Sequence, residues 1–382
     1  MGATTELAAH PLANAGDAGS PDALAAPLAT EIQRRLTSYL DAPAARCAVL
    51  ASGWETTVFE VVLAARSPRL GELPVDRPLV LRFYQGSRAD DKGAREAVTM
   101  RLLAENGYPI PRPYLYEPDH EPLGAPFLMM ERVSGGPLFL TSSFPRAFKT
   151  FLFGFVAFVR AQAELHKSVA KRPAIVEKIP QAYVDPTAAS SAPLLNRLLA
   201  IIAERVERGP LPGLRDALAS VRELAGRFSP GPQTLVHMDY HPQNVLVRGF
   251  RVSGIIDWVN ADRGDRHLCA ATTAVILSTS AMERPRWMRD NAAGNTLRTL
   301  FATTYMPLYH ALAPMEFERF RFAQAVAALL RLSMFGMMRA RGPESVGFRP
   351  EAIENVTPMV VRLLTRYASR KCGVPVSLDN AA

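Results

Sequence analysis

The chain has 382 residues, 48% of them hydrophobic and 21% charged, with 44 Lys+Arg against 36 Asp+Glu and a formal net charge of +8. These fractions exclude a mostly disordered chain, a coiled coil and a collagen-like fibre, and the length gives room for two lobes with separate cores. No stretch approaches the ~20 apolar residues of a membrane helix, and the Arg-dominated positive charge is dispersed, which reads as solvated faces rather than a nucleic-acid surface.

Residues 1–30, rich in Ala, Pro and Gly, read as a flexible tail without the charged region and apolar core of a secretory leader. Residues 31–42 follow as a short amphipathic helix. Three β-rich runs come next, Cys47–Ala51, Val58–Leu63 and Pro78–Tyr84, separated by Gly and Pro. Ala94–Asn106 has helical periodicity and stops at Asn106-Gly107. Pro109, Pro111 and Pro113 forbid a helix there, and Phe127–Val133 is a further strand. Residues 46–133 therefore read as strand, strand, strand, helix, strand, strand, and 31–133 as a small α+β lobe.

Residues 134–370 read as a second, mostly helical lobe, with 371–382 as a tail. Its predicted helices are 146–167, 194–208 and 214–228, with a surface loop over 172–193. Three short strands interrupt the helical pattern at 234–237, 244–248 and 252–257, the last two joined by the turn Arg248-Gly-Phe-Arg. Helices resume from Leu268. Cys47, Cys269 and Cys372 are far apart and form no C-x-x-C, which argues against a disulfide framework or zinc cluster and makes a reducing cytoplasm the expected compartment.

The chemistry concentrates in His237-Met-Asp-Tyr-His-Pro-Gln-Asn244 and Gly254-Ile-Ile-Asp257-Trp258. A hairpin lies between Asn244 and Asp257, so its two flanks converge. An amide carbonyl and a carboxylate suit a hard cation such as Mg²⁺, which takes few protein ligands and keeps its waters. Asp239, on a loop stiffened by Pro242, can face the same point without being consumed as a ligand. A free carboxylate there suits the orientation of an attacking hydroxyl in phosphoryl transfer.

H-x-D-x-x-x-x-N followed by I-D-W resembles the aminoglycoside phosphotransferase-like family, which also holds choline kinase-like and homoserine kinase-like enzymes. The resemblance runs from about residue 46 to about 280. It implies a bilobal protein-kinase-like fold with Mg-ATP or Mg-GTP in the cleft and a small hydroxylated substrate as phosphate acceptor. It implies Asp239 as catalytic base, Asn244 and Asp257 as metal ligands, and His237 as a brace of the catalytic loop. Gly53 falls in the nucleotide-covering hairpin, Arg82 on the strand that carries the phosphate-binding cation, and Glu96 on the helix whose acid pairs with it. Met130 and Glu131 fall in the hinge, where backbone groups would meet the base. His241 adjoins the site as a substrate candidate.

Two departures stand out. Arg82 replaces the Lys of protein kinases, keeping the charge on a larger planar group that pairs bidentately. In Gly264-Asp-Arg-His-Leu-Cys-Ala-Ala271, Cys269 replaces an acid that normally buttresses the catalytic loop. Either Asp262 or Asp265 substitutes, or the loop is looser.

Residues 281–350 hold ten Arg against five acids, which argues against a polycationic acceptor or choline. Trp287, Tyr305 and Tyr309 are the candidate pocket aromatics. Two other readings stay open on sequence grounds: a nucleotide-binding pseudokinase, motivated by Arg82 and Cys269, and an Arg-rich nucleic-acid binder.

Overall fold

The computed structural model describes residues 21–52, 56–69, 73–86, 88–138, 153–168, 173–183, 192–229, 231–279 and 292–378. The chain divides into two compact units, one of residues 1–97 and 112–132, the other of 98–111 and 133–382.

The first unit is a five-stranded antiparallel sheet with helices. Its strands are β1 (Ala44–Ser52), β2 (Thr56–Leu63), β3 (Pro78–Tyr84), β4 (Pro113–Glu117) and β5 (Phe127–Glu131), in the order β1-β2-β3-β5-β4. Alternation decides the faces. Phe59, Val61 and Leu63 of β2 and Leu79, Leu81 and Phe83 of β3 enter one core. Arg82 and Tyr84 point to the opposite face, where both reach Glu96 of α2 (Ala89–Glu105).

Helix α1 (Pro21–Leu40) closes the first core with a stripe of Ala29, Ile32, Leu36 and Leu40. It begins ten residues before the helix expected from sequence, so 21–30 is helical and only 1–20 of the expected tail lies outside the described residues. The stripe explains the extension: Leu28 and Ala29 continue it one turn toward the N-terminus.

The second unit is mostly helical. Its longer helices are α3 (Phe155–Ser168), α4 (Leu194–Arg208), α5 (Arg215–Ala225), α6 (Arg266–Thr279), α7 (Ala292–Leu312), α8 (Phe317–Arg341) and α9 (Pro358–Cys372). The 25-residue α8 is buried along most of its length and packs against α4, α6 and α9. The first part of the helix expected over 146–167 lies outside the described residues.

Two small β elements carry the segments around Asp239, Asn244 and Asp257. β6 (Gly136–Pro137), β8 (Val245–Arg248) and β9 (Arg251–Ile255) form one sheet, and β7 (Gln233–Val236) pairs with β10 (Asp262–Asp265). Arg248 pairs with Arg251 across a two-residue turn whose first residue, Gly249, has φ +64°. That left-handed first position is what a tight hairpin asks of glycine.

β10 was not expected from sequence. It is fixed by a buried ion pair: Arg197 of α4 donates to both carboxylate oxygens of Asp262 at 2.9 and 2.8 Å. The amides of Ala182, Tyr183 and Arg263 also donate to Asp262. The chain beyond α9 also stays attached, because Ser377 N donates to Gly213 O and Val376 N to Ser369 Oγ. The described part of 371–382 is thus a packed terminus rather than a free tail.

Candidate active site

β7 leads directly into His237–Asn244, and the β8–β9 hairpin returns Asp257 toward that segment. The amide of Ile256 donates to Asn244 O at 2.9 Å, so the hairpin brings the residue before Asp257 against Asn244. Both Met238 and Asp257 adopt left-handed backbone, with φ of 60° and 67°. Such conformations in residues other than Gly persist only where surrounding contacts over-determine them, and they cluster at functional sites.

His237 is fully buried. Its Nδ1 accepts from Asp239 N at 3.3 Å, so Nε2 carries the proton and donates to Ile256 O at 3.0 Å. Burial lowers its pKa and keeps the ring neutral. The ring also packs 4.4 Å from that of Trp258. His237 thus ties the loop of Asp239 to the segment of Asp257.

The Asp239 side chain is 30% exposed. Burial pushes its pKa up, but His241, His237 and Arg331 outweigh that and bring it from 3.8 down to about 2. The carboxylate is therefore ionised at neutral pH. Asn244 Nδ2 lies 3.0 Å from Asp239 O and 3.4 Å from its Oδ2, which turns the Asn244 carbonyl away from Asp239. His241 Nδ1 accepts from Gln243 N at 3.3 Å, and its Nε2 faces Asn244 at 3.1 Å and Asp239 at 3.7 Å.

As a donor set for a cation, Asn244 and Asp257 supply one neutral and one anionic oxygen. No group of three or more His, Cys, Asp or Glu suited to a metal occurs among the described residues. A two-donor oxygen site fits Mg²⁺ with retained waters and does not fit zinc.

In the first unit Arg82 lies on the central strand β3 and is buried. Its Nε is 3.2 Å from Glu96 Oε2, and Tyr84 OH donates to the same oxygen at 2.6 Å. The guanidinium also sits 5.7 Å from the centre of the Tyr84 ring. The expected Arg82–Glu96 pair is present, and Tyr84 is a third member that sequence reasoning missed. Its signal was available: residues i and i+2 of a strand share a face. Met130 and Glu131 end β5, but Glu131 N already donates to Arg112 O at 2.8 Å.

Gly53 and Trp287 lie outside the described residues. Among the described residues, Tyr305 and Tyr309 face no open pocket. Both are fully buried; Tyr305 donates to Gln162 Oε1 at 2.7 Å, and Tyr309 OH meets His166 Nδ1 at 2.5 Å. Their spacing of four on α7 is a core stripe. Neither carboxylate expected to stand in for position 269 does so: Asp262 is bound to Arg197, and Asp265 pairs with His267 and Arg319.

Several solved structures share this fold. A mutant of aminoglycoside 2'-phosphotransferase-IIIa matches with TM-score 0.56 and 16% identity, covering 90% of this chain and 99% of that one. A thermostable mutant of aminoglycoside phosphotransferase APH(4)-Ia matches with TM-score 0.52 and 16% identity, covering 86% and 98%. A choline/ethanolamine kinase family protein from Mesorhizobium loti matches with TM-score 0.50 and 17% identity, covering 89% and 99%. No curated protein matches the sequence. Residues 46–314 match the sequence profile of the phosphotransferase enzyme family. That span is well over half of the chain and holds both the Arg82–Glu96 pair and the Asp239–Asn244–Asp257 constellation, so the protein belongs to the phosphotransferase enzyme family.

Proposed function

We propose that this phosphotransferase is a small-molecule kinase, which moves the γ-phosphoryl group of a Mg-bound nucleoside triphosphate to a hydroxyl of a small acceptor. The observation that carries the reading is the placement of Asp239, with Asn244 Nδ2 3.0 Å from its backbone oxygen and 3.4 Å from Oδ2, beside the hairpin that presents Asp257. Asp239 orients the acceptor hydroxyl and takes its proton as the bond to phosphorus forms. Its low basicity makes orientation the larger part of that role. Asn244 and Asp257 would hold Mg²⁺, which neutralises charge on the phosphates when bound. Arg82, fixed by Glu96 and Tyr84, is the cation for the phosphates of the nucleotide.

A nucleoside phosphate as cosubstrate is supported by two neighbours. A thermostable APH(4)-Ia mutant was solved as a ternary complex with AMP-PNP and hygromycin B, and the aminoglycoside 2'-phosphotransferase-IIIa mutant as a GDP complex. The acceptor proposed here is neutral or anionic, since 281–350 carries ten Arg against five acids. Of those acids, Glu316 is engaged by Arg319. Free thiols at Cys47, Cys269 and Cys372 fit a reducing cytoplasm.

The test is a panel of hydroxylated metabolites and antibiotics incubated with Mg-ATP or Mg-GTP and scored for a new phosphate monoester. The reading expects product with at least one neutral or anionic acceptor, and loss of that product in Asp239→Asn. Product that survives Asp239→Asn contradicts the assigned base. Nucleotide binding with no transfer to any acceptor or to water favours the pseudokinase reading instead.

A further inference from the structure

Under the catalytic loop lies a set of buried polar side chains that take no part in the chemistry proposed above. Thr273 of α6 donates from Oγ1 to Tyr240 O at 2.8 Å and accepts from Gln162 Nε2 at 2.8 Å. Gln162 of α3 accepts at Oε1 from Tyr305 OH of α7 at 2.7 Å. Its amide also lies 3.6 Å from Cys269 Sγ. The Cys269 thiol in turn faces the backbone amides of Met238 and His237. Gln162, Cys269, Thr273 and Tyr305 are all fully buried.

Three features make this more than core packing. The set contacts the loop at the residues on either side of Asp239. It reaches the loop through backbone atoms at Met238, whose φ of 60° is strained for a residue with a side chain. It also contains no charge. Carboxylates that could have filled the place, Asp262 and Asp265, are committed elsewhere in the same unit.

We propose that Gln162, Cys269 and Thr273 are positioning residues: a neutral hydrogen-bonded floor that holds the 237–241 backbone, and through it Asp239, in the reactive setting. The inference rests on the reading of Asp239 as the reactive carboxylate. Tyr305 anchors the far end, so three helices of the second unit converge on one loop.

The test uses near-isosteric variants, Thr273→Val and Gln162→Leu, with Thr273→Ser as the conservative control. Two readouts are taken on the full chain: hydrogen exchange of the 237–240 amides without ligand, and steady-state hydrolysis of Mg-ATP with water as acceptor. The floor predicts faster exchange at 237–240 in both deletion variants, with α8 amides unchanged. It predicts a kcat roughly 10–100-fold lower, the range seen when positioning partners of a reacting group are removed. KM for Mg-ATP should stay within about twofold, because the nucleotide contacts are untouched. Thr273→Ser should restore both readouts. Unchanged exchange at 237–240 in both deletion variants would overturn the proposal. So would a kcat loss that Thr273→Ser shares, or one that only parallels a general rise in exchange. If the wild type hydrolyses no ATP, the exchange arm decides the floor alone, and the kinase reading fails separately.

Discussion

Arg82 is the residue at which the chain departs most visibly from a kinase-like pattern, and its surroundings explain why the departure is tolerated. Glu96 is fully buried, and its charge is offset by the Arg82 guanidinium and the Tyr84 hydroxyl. Arg82→Met should therefore cost stability, about 3–5 kcal/mol from the orphaned carboxylate. Nucleotide affinity should fall by about tenfold to a hundredfold, the value of one or two charge-assisted hydrogen bonds. Arg82→Lys should retain most of the stability; urea unfolding and nucleotide titration of both variants check the pair. Asp239→Asn should remain folded and lose about 10²–10⁴ in transfer rate. The pKa of Asp239 is lowered from 3.8 to about 2, so its contribution to stability is full above about pH 4 and is lost as pH falls toward 2. A pH–rate profile should show no acid limb from Asp239 above about pH 4. The residues of this site were legible because their spacing is local: Asn244 and Asp257 flank one hairpin, and Arg82 and Glu96 sit on a consecutive strand and helix. Tyr305 and Tyr309 were misread because a sequence shows that an aromatic is present but not which face of its helix it occupies.

At the scale of elements, β10 and α1 show what local pattern misses. Asp262-Arg-Gly-Asp265 has no β-branched or aromatic residue, so nothing intrinsic marks it as a strand. It is one because β7 offers a ladder and Arg197 holds Asp262. Asp262→Asn or Arg197→Met should destabilise the chain by about 3–5 kcal/mol, since each leaves a buried charge alone; denaturant unfolding measures it. A second prediction concerns the join of α3 and α7. His166 meets Tyr309 OH, has no hydrogen-bond partner at Nε2 among the described residues, and is driven by burial to a pKa of about 3. The unfolded chain binds a proton below about pH 6.5 that the folded chain refuses. Stability linked to His166 is thus complete above pH 6.5 and falls by about 1.4 kcal/mol per pH unit between 6.5 and 3. His166→Gln should lower stability at neutral pH yet flatten the decline between pH 6.5 and 5. A parallel decline in wild type and variant would contradict a buried neutral histidine.

For the molecule as a whole, the order strand-strand-strand-helix-strand-strand ahead of a helical half was legible because propensity, punctuation and hydrophobic period agreed along 46–133. The boundary between units was less so: it falls within α2, whose first residues belong to one core and whose last belong to the other. The acceptor leaves the weakest trace, since specificity depends on side chains assembled from distant segments, and the stretch around Trp287 lies outside the described residues. The proposed function must show as coupling between a nucleotide and the fold. The direct measurement is the melting temperature of wild type and Asp257→Asn with and without Mg²⁺ and ATP or GTP. At a nucleotide concentration 100 times its dissociation constant, binding should add about 2.7 kcal/mol of stability. The predicted result is an upward shift in wild type that requires Mg²⁺ and is diminished in Asp257→Asn. No shift with either nucleotide, or a shift indifferent to Mg²⁺ and to Asp257, would contradict the account.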